Sequence, residues 1–260
     1  MNNDLMAARR EALAGQSPRQ RGRDKDQRAL QWVYRWDWSS PAIIDSVASP
    51  GRRGVARRLI RQGLLREQDT EAGGAKGSPA SVVALTRDGR AVVESELPEP
   101  KVRDYRGLRA VKWAQLRHDS LIQRAIAEAL REGATMDYET PPEIAEQSRE
   151  GQKQPDAVQH LEAGDKLALE LELTAKHGWR LDRFVTDVVR LVDNRRDGHY
   201  ELVAILSTSQ AILDRYRRRF SAGAAMPIWE RDQRSRPHQV DTKKVPPWVM
   251  PRLYFKEIKL

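Results

Sequence analysis

The chain has 260 residues, of which 39% are hydrophobic and 32% are charged, a balance typical of a globular protein with a well hydrated surface. It has no cysteine, which excludes disulfides and thiolate metal sites. No apolar run approaches the roughly 18 residues of a membrane span, and the N-terminus lacks the apolar core of a signal peptide, so a cytoplasmic protein is expected.

The net charge of +9 is unevenly distributed along the chain. Residues 1–66 carry 14 Lys and Arg against 6 Asp and Glu, and residues 215–260 carry 12 against 4. Residues 67–214 carry 20 against 27, so two basic flanks enclose an acidic centre. Because basic regions release counterions from phosphates, the flanks indicate a nucleic-acid partner. The acidic centre is better suited to holding cations.

Residues 1–24 are polar and basic and predict a flexible arm. Residues 25–97 then show three helical segments followed by two short strands on either side of the glycine-rich "TEAGGAKGSPA". Ser40 and Pro41 supply an N-cap and a first-turn proline for the second helix, and "SP" at 49–50 repeats that signal before the third. This order of elements predicts a winged helix-turn-helix.

The third helical segment, "GRRGVARRLIRQGLL", has apolar residues on one side and arginines on the other. In a winged helix-turn-helix such a helix enters the major groove, and its cations contact phosphates or base edges. The candidate DNA-binding residues are Arg52, Arg53, Arg57, Arg58 and Arg61. The alternative is a solvated face on a small helical domain that binds protein.

Two prolines and mixed charge predict a linker at residues 98–105. Residues 106–222 read as a helix, three strands, a helix, a strand and a helix, which predicts a mixed α/β domain. Residues 223–260 form a basic C-terminal tail with interleaved aromatic residues, namely Trp229, Trp248, Tyr254 and Phe255. These rings either clamp single-stranded nucleic acid by stacking or pack back on the domain.

The segment "PDAVQHLEAGDKLALELELTAK" concentrates carboxylates on a strand that alternates in polarity. Leucines share one face of this strand, while Glu170, Glu172 and, if the strand continues, Lys176 share the other. A hairpin would bring Asp156 beside the glutamates. Oxygen ligands on neighbouring strands are what Mg²⁺ or Mn²⁺ takes, and a nearby lysine would orient a water molecule or stabilise phosphoryl charge. The alternative is a solvated amphipathic strand.

Several segments, in their order, resemble the replication-relaxation family of plasmids and integrative elements. They are "RRLIRQGLL", "ALTRDGRAVV", "LRHDSLIQRAIAEAL", "YETPPEIAEQ", "KQPDAV" and "LALELELTAKH", spread over about residues 25–215. The resemblance implies a winged helix joined to a PD-(D/E)xK nuclease-like α/β domain, akin to one class of conjugative relaxases. It implies a divalent cation, Mg or Mn, on Asp156 and Glu170, with Glu172 and Lys176 assisting catalysis.

The chain departs from the nuclease pattern at one position. The residue two after the strand carboxylate is usually lysine, and here it is Glu172, with Lys176 the next lysine along that face. The resemblance therefore implies a DNA-binding accessory or initiator protein of mobilisation or replication that nicks DNA if its site is active. The alternative is a transcription or copy-number regulator with an inactive nuclease-like domain. Expected partners are double-stranded DNA, a relaxase or other mobilisation protein, and a second copy in a homodimer.

Overall fold

The structure of the protein is a computed structural model that describes residues 17–97, 104–148, 153–193, 195 and 200–259. Most of the predicted arm and of the predicted linker lies outside these residues. The protein is mixed α/β and divides into two compact units, residues 1–134 and 135–260. None of the helices in the described ranges is long and apolar enough to cross a membrane.

The N-terminal unit consists of helices around a two-stranded antiparallel hairpin. Its elements are α1 (Pro18–Trp36), α2 (Pro41–Ala48), α3 (Val55–Arg61), β1 (Leu65–Asp69), β2 (Ser81–Leu85), α4 (Arg87–Glu96) and α5 (Leu116–Glu132). An isolated antiparallel bridge joins Ser39, between α1 and α2, to Val83 of β2. The hairpin is thereby tied to the turn that precedes α2.

Local signals set where α2 begins, and longer-range contacts set where α3 begins. The Ser40 side chain accepts a hydrogen bond from the Ile43 N–H and Pro41 occupies the first turn, as predicted for α2. The third helix starts at Val55 and not after the "SP" at 49–50, so that part of the prediction is wrong. Its N-cap, Gly54, has a φ of 104°, a left-handed conformation that glycine adopts without strain.

Helix α5 belongs to the N-terminal unit, whereas the sequence assigned it to the second domain and placed the boundary at residues 98–105. Gln123 of α5 is buried, and its Nε2 donates to the Trp38 carbonyl oxygen at 3.0 Å. The Gln123 Oε1 accepts from the Ser39 hydroxyl at 2.6 Å. These buried hydrogen bonds explain why the chain divides after Ala134.

The C-terminal unit is built on a five-stranded sheet with the order β3-β4-β5-β6-β9. The first three strands pair antiparallel, and β6 and β9 continue parallel to β5. Its elements are β3 (Asp137–Glu139), α6 (Pro141–Gln147), β4 (Ala157–His160), β5 (Lys166–Leu171), α7 (Trp179–Leu191), β6 (Leu202–Ser207), α8 (Gln210–Arg219), β7 (Ala225–Arg231), β8 (Pro237–Lys244) and β9 (Leu253–Glu257).

One face of this sheet is covered by α7. Ala168 of β5 is buried in a cluster with Phe184 and Val188 of α7. Side chains two apart on a strand share a face, so Glu170 lies on the covered side. The predicted hairpin of β4 and β5 is present, with Ala157 opposite Leu169. Strand β5 ends at Leu171, earlier than the alternating sequence predicts.

Residues 223–259 of the predicted tail are part of the folded unit. Strand β9 pairs with β6, and Trp248 and Phe255 pack against the core. Strands β7 and β8 form a separate antiparallel hairpin. The two ends of this hairpin meet: the Gly223 N–H donates to the Val245 carbonyl oxygen, and the Val245 N–H donates to the Ala224 carbonyl oxygen, both at 2.9 Å.

Candidate functional site

Asp156 and Glu170, the predicted metal ligands, lie on facing segments of the β4–β5 hairpin. The Asp156 N–H donates to the Leu169 carbonyl oxygen at 2.9 Å, and its Oδ2 accepts from the Leu171 N–H at 2.8 Å. These two backbone contacts hold Asp156 beside the strand residue between Leu169 and Leu171. That residue is Glu170, so the hairpin brings the two carboxylates to one place.

Glu170 is buried, with 3% of its surface exposed, and its two oxygens differ in their surroundings. Oε2 receives an ion pair from the Lys153 Nζ at 2.7 Å. Oε1 is buried with no hydrogen-bond partner. An unsatisfied buried acceptor costs free energy comparable to a lost hydrogen bond, so this atom marks an incomplete site.

The surroundings of Glu170 favour its protonated form. Burial raises the pKa of Glu170 to about 8, against the opposing effect of Lys153, and the Asp156 and Glu172 carboxylates raise it further. Burial alone would lower the pKa of Lys153, but the carboxylates of Glu170, Asp156 and Asp187 together outweigh it, and the pKa lies above its ordinary value. Lys153 therefore stays cationic while Glu170 titrates near neutrality.

Glu172 and Lys176, the predicted catalytic pair, bind each other. Glu172 is buried with 5% exposed, and its Oε1 receives an ion pair from the Lys176 Nζ. The Tyr216 hydroxyl donates to the Glu172 Oε2 at 3.2 Å and accepts from the Lys176 N–H at 3.2 Å. Both carboxylate oxygens of Glu172 therefore have partners within the fold, whereas the Oε1 of Glu170 has none. Lys176 reaches it from the loop after β5, because the strand has already ended.

The glutamate face is therefore not the solvated strand surface that the sequence left open as an alternative. Two glutamates are buried there, and each is matched by one lysine. Burying a carboxylate without a counter-ion costs several kcal/mol, which explains why each has one. The Lys153 and Lys176 ammonium groups both lie over the Phe184 ring, at 5.6 and 4.7 Å from its centroid.

Asp156 and Glu170 are the two residues at this site whose oxygens could hold a divalent cation. The buried Glu170 Oε1 lacks a partner, and oxygen is the ligand that Mg²⁺ and Mn²⁺ prefer. Mg²⁺ is commonly bound by one or two carboxylates, with water and phosphate completing its shell. Within the described ranges no group of three or more carboxylates or imidazoles converges. Glu139 accepts from His160 and Lys166, and Glu143 caps α6, so both are engaged elsewhere.

The predicted DNA-binding arginines fall into two groups. Arg57 and Arg61 are exposed on α3, and Arg52 and Arg53 are exposed on the loop before it. Arg58 is half-buried and forms an ion pair with Asp26 of α1. Four of the five candidates therefore face solvent, and Arg58 also links α3 to α1.

The N-terminus of α3 is held by a carboxylate from α2. Asp45 Oδ2 accepts from the Gly54 N–H at 2.8 Å, and its Oδ1 accepts from the Ala56 N–H at 2.9 Å. This contact satisfies the first N–H groups of the helix and fixes its direction relative to α2. The exposed arginines are thus carried on a short but well anchored helix.

A cluster of cations lies where α1 approaches α3. Burial and then the nearby charges of Arg52, Arg28, Arg58 and Arg21 lower the pKa of Lys25. A lowered lysine pKa is the expected result of positive charges held close together. The N-terminal unit therefore presents concentrated positive charge beside the exposed face of α3.

Sequence reasoning missed Lys153. It lies in the segment that leads into "PDAV", three residues before Asp156, where a lysine has no periodic pattern to distinguish it. Its position beside the Pro-Asp pair was the only available signal. The structure places its ammonium group on the strand carboxylate of Glu170.

Comparisons of the chain with protein-family models, with curated proteins and with solved structures gave no match.

Proposed function

We propose that the protein binds duplex DNA through its N-terminal unit and nicks DNA with a divalent cation held by Asp156 and Glu170. It would act in mobilisation or replication of a plasmid or integrative element, as the sequence resemblance implies. The observation that carries the cleavage proposal is the buried Glu170, which faces Asp156 with one oxygen unsatisfied and one on Lys153.

The architecture of the N-terminal unit supports duplex binding. A winged helix-turn-helix has a short strand between its first two helices that pairs with the second strand of the hairpin, and the Ser39–Val83 bridge occupies that place. Helix α3 presents Arg57 and Arg61 to solvent. Exposed arginines on an anchored helix suit phosphate contact and base-edge contact in the major groove.

The topology of the C-terminal unit supports the nuclease-like interpretation. Three antiparallel strands are followed by a helix and a strand parallel to the third, and of the two carboxylates Asp156 lies immediately before the second strand and Glu170 on the third. A divalent cation there would supply Lewis-acid stabilisation of the phosphoryl oxygens. Lys153 stays protonated and would place a positive charge beside the phosphate. Lys153 thus replaces the lysine that the chain lacks at position 172.

The experiment is a nicking assay on supercoiled plasmid with Mg²⁺, Mn²⁺ or a chelator. We expect the supercoiled plasmid to be converted to the open circular form with Mg²⁺ or Mn²⁺ and to stay supercoiled with the chelator. Asp156→Asn should reduce nicking by roughly 100-fold or more while duplex affinity is unchanged, because N-terminal contacts are intact. Asp165→Asn is the matched control, since Asp165 lies at the other end of the same hairpin.

A second candidate function is a transcription or copy-number regulator whose nuclease-like unit does not cut. It is favoured by one observation: Lys153 and Lys176 already neutralise both buried glutamates, so the fold needs no bound cation. Duplex binding without any nicking by the wild-type protein would establish this candidate and refute cleavage. Failure to bind duplex DNA would refute both.

A further inference from the structure

A groove of about 750 Å³ runs between α7 and the β7–β8 hairpin in the C-terminal unit. The hairpin lies beyond the roughly 25–215 range of the sequence that carries the family resemblance. Lys153 and Lys176, the two lysines that pair with the buried glutamates, line one part of the groove. The groove therefore adjoins the carboxylate site.

The lining of the groove is strongly cationic. Asp187 and Glu230 are the acidic side chains among its lining residues. The basic ones are Lys153, Lys176, Arg180, Arg183, Arg190 and Arg231. Asp187 lies 3.6 Å from both Arg183 and Arg190, which offset its charge. A net positive, partly enclosed surface attracts a polyanion.

Aromatic rings lie among these cations. Phe184 is buried and stacks on Tyr216 with ring centroids 5.1 Å apart, so it forms part of the floor. Trp179 and Trp229 are half-buried on opposite elements, at the start of α7 and on β7. The Arg180 guanidinium lies 5.7 Å from the centre of the Trp179 ring.

Two contacts set the position of Trp229. Its Nε1–H donates to the Asp182 Oδ2 of α7 at 3.1 Å, and Asp182 also pairs with Arg219. The register between β7 and β8 shifts between Ile228 and Trp229, with Ile228 opposite Asp241 and Trp229 opposite Gln239. The hairpin is thus fixed with one tryptophan edge toward α7 and its ring at the groove.

We propose that this groove binds single-stranded DNA, with bases stacked on Trp179 and Trp229 and phosphates paired with the surrounding lysines and arginines. Cations and aromatic rings in one groove are the combination that single-strand binding uses. The faces of bases are free to stack on side chains only when the strand is unpaired, which favours a single strand over a duplex. The volume holds a few nucleotides and not a helix.

This inference deepens the proposed function and rests on it for the nature of the ligand. A strand in the groove would pass Lys153 and so reach Asp156 and Glu170. The C-terminal unit therefore has its own site for single-stranded DNA, which is distinct from the duplex contacts of α3. Binding of the strand requires no cleavage, which allows the two proposals to be tested apart.

The test measures binding of the full chain to fluorescein-labelled 20-nucleotide oligothymidine by fluorescence anisotropy in chelator, where nicking cannot occur. Trp179→Ala should weaken binding about tenfold, and Trp179→Phe should restore most of it, because phenylalanine still stacks. Trp113→Ala, which removes an exposed tryptophan of the N-terminal unit, should leave binding unchanged.

The cation contacts have their own measurement. Replacing Arg180 and Arg183 together by alanine should lower the slope of log affinity against log salt by about 1.4, whereas Arg218→Ala on α8 should not. Equal effects of the groove and control variants, or no binding of oligothymidine by the wild type, would overturn the single-strand site. Duplex affinity, measured on the same proteins with a 20-base-pair duplex, should not change in the groove variants. A parallel loss of duplex affinity would also overturn it.

Discussion

The two units use charge in opposite ways. In the N-terminal unit, four of the five arginines on and before α3 are exposed to solvent. In the C-terminal unit, Glu170 and Glu172 are buried and each is held by one lysine. Exposed cations contribute little to stability and are available to a polyanion. Buried pairs are part of the fold, so their loss costs stability as well as function.

We therefore expect substitutions in the N-terminal unit to affect function without stability, and substitutions in the C-terminal unit to affect both. Substitutions on α3 should change DNA binding and leave folding intact. Substitutions at the carboxylate site should lower the free energy of unfolding as well as change function. The following variants test this difference, from the largest expected effect on stability to the smallest.

Lys153→Met should have the largest effect, because it leaves Glu170 buried without its counter-ion. We expect a loss of about 3 kcal/mol in the free energy of unfolding, measured by urea denaturation at a pH above the Glu170 pKa of about 8, where this carboxylate is ionised. Lys176→Met should cost less, since the Lys176 side chain is 37% exposed against 25% for Lys153, and Tyr216 still donates to Glu172. The double variant Lys153→Met/Glu170→Leu should recover most of the loss, because it removes the pair as a whole. Equal losses from the two single lysine variants would contradict this account.

The pH dependence of stability should carry the signature of Glu170. Its folded pKa of about 8 lies above the ordinary value of 4.5, so the folded state binds a proton more tightly than the unfolded state. Glu170 therefore destabilises the fold progressively as pH rises from 4.5 to about 8, by up to roughly 1.4 kcal/mol per pH unit.

Glu170→Gln isolates this effect. The difference in melting temperature between the variant and the wild type should shift in favour of the variant across that range of pH, measured by thermal denaturation in chelator. A difference independent of pH would show that Glu170 stays ionised in the folded state.

Asp45→Ala should have an intermediate effect. It removes the carboxylate that accepts from the Gly54 and Ala56 N–H groups, and loss of such a cap costs about 1 kcal/mol. Duplex affinity should fall as well, because α3 loses its anchor. Asp45→Asn should retain at least half of the stabilisation that the Asp45 cap provides, since asparagine also caps helices. If Asp45→Ala left both properties unchanged, the cap would have no role in presenting α3.

Arg57→Ala combined with Arg61→Ala should change the free energy of unfolding by less than about 0.5 kcal/mol, because both side chains are exposed. The slope of log duplex affinity against log salt should nevertheless fall by about 1.8, the loss of two phosphate contacts. Arg58→Ala provides the contrast, since it also breaks the ion pair with Asp26. An unchanged slope in the double variant would remove α3 from the DNA interface.

Elements with local signals were predictable from the sequence. Ser40 and Pro41 mark the start of α2, and the alternation of leucine and glutamate marks β5. The turn between β4 and β5 places Asp156 beside Glu170 once the two strands pair. The first two follow from residues within a few positions of one another, and the third follows from a single hairpin turn.

Features that depend on distant contacts were not predictable. The start of α3 is fixed by Asp45, nine residues before Gly54, and not by the nearer "SP" signal. Lys153 reaches Glu170 from a loop that has no periodicity, and its position near the Pro-Asp pair does not identify its partner. Strand β9 pairs with β6, with Leu253 opposite Val203, and no local sequence pattern predicts this pairing.

The closed base of the β7–β8 hairpin makes this segment a replaceable module. The hairpin segment begins after Gly223 and ends before Val245, and the hydrogen bonds between residues 223–224 and 245 hold its two ends together. A hairpin of different length or sequence would therefore fit between α8 and β9 without moving either. Exchanging residues 227–243 would therefore change the ligand preference of the groove and leave the rest of the fold in place.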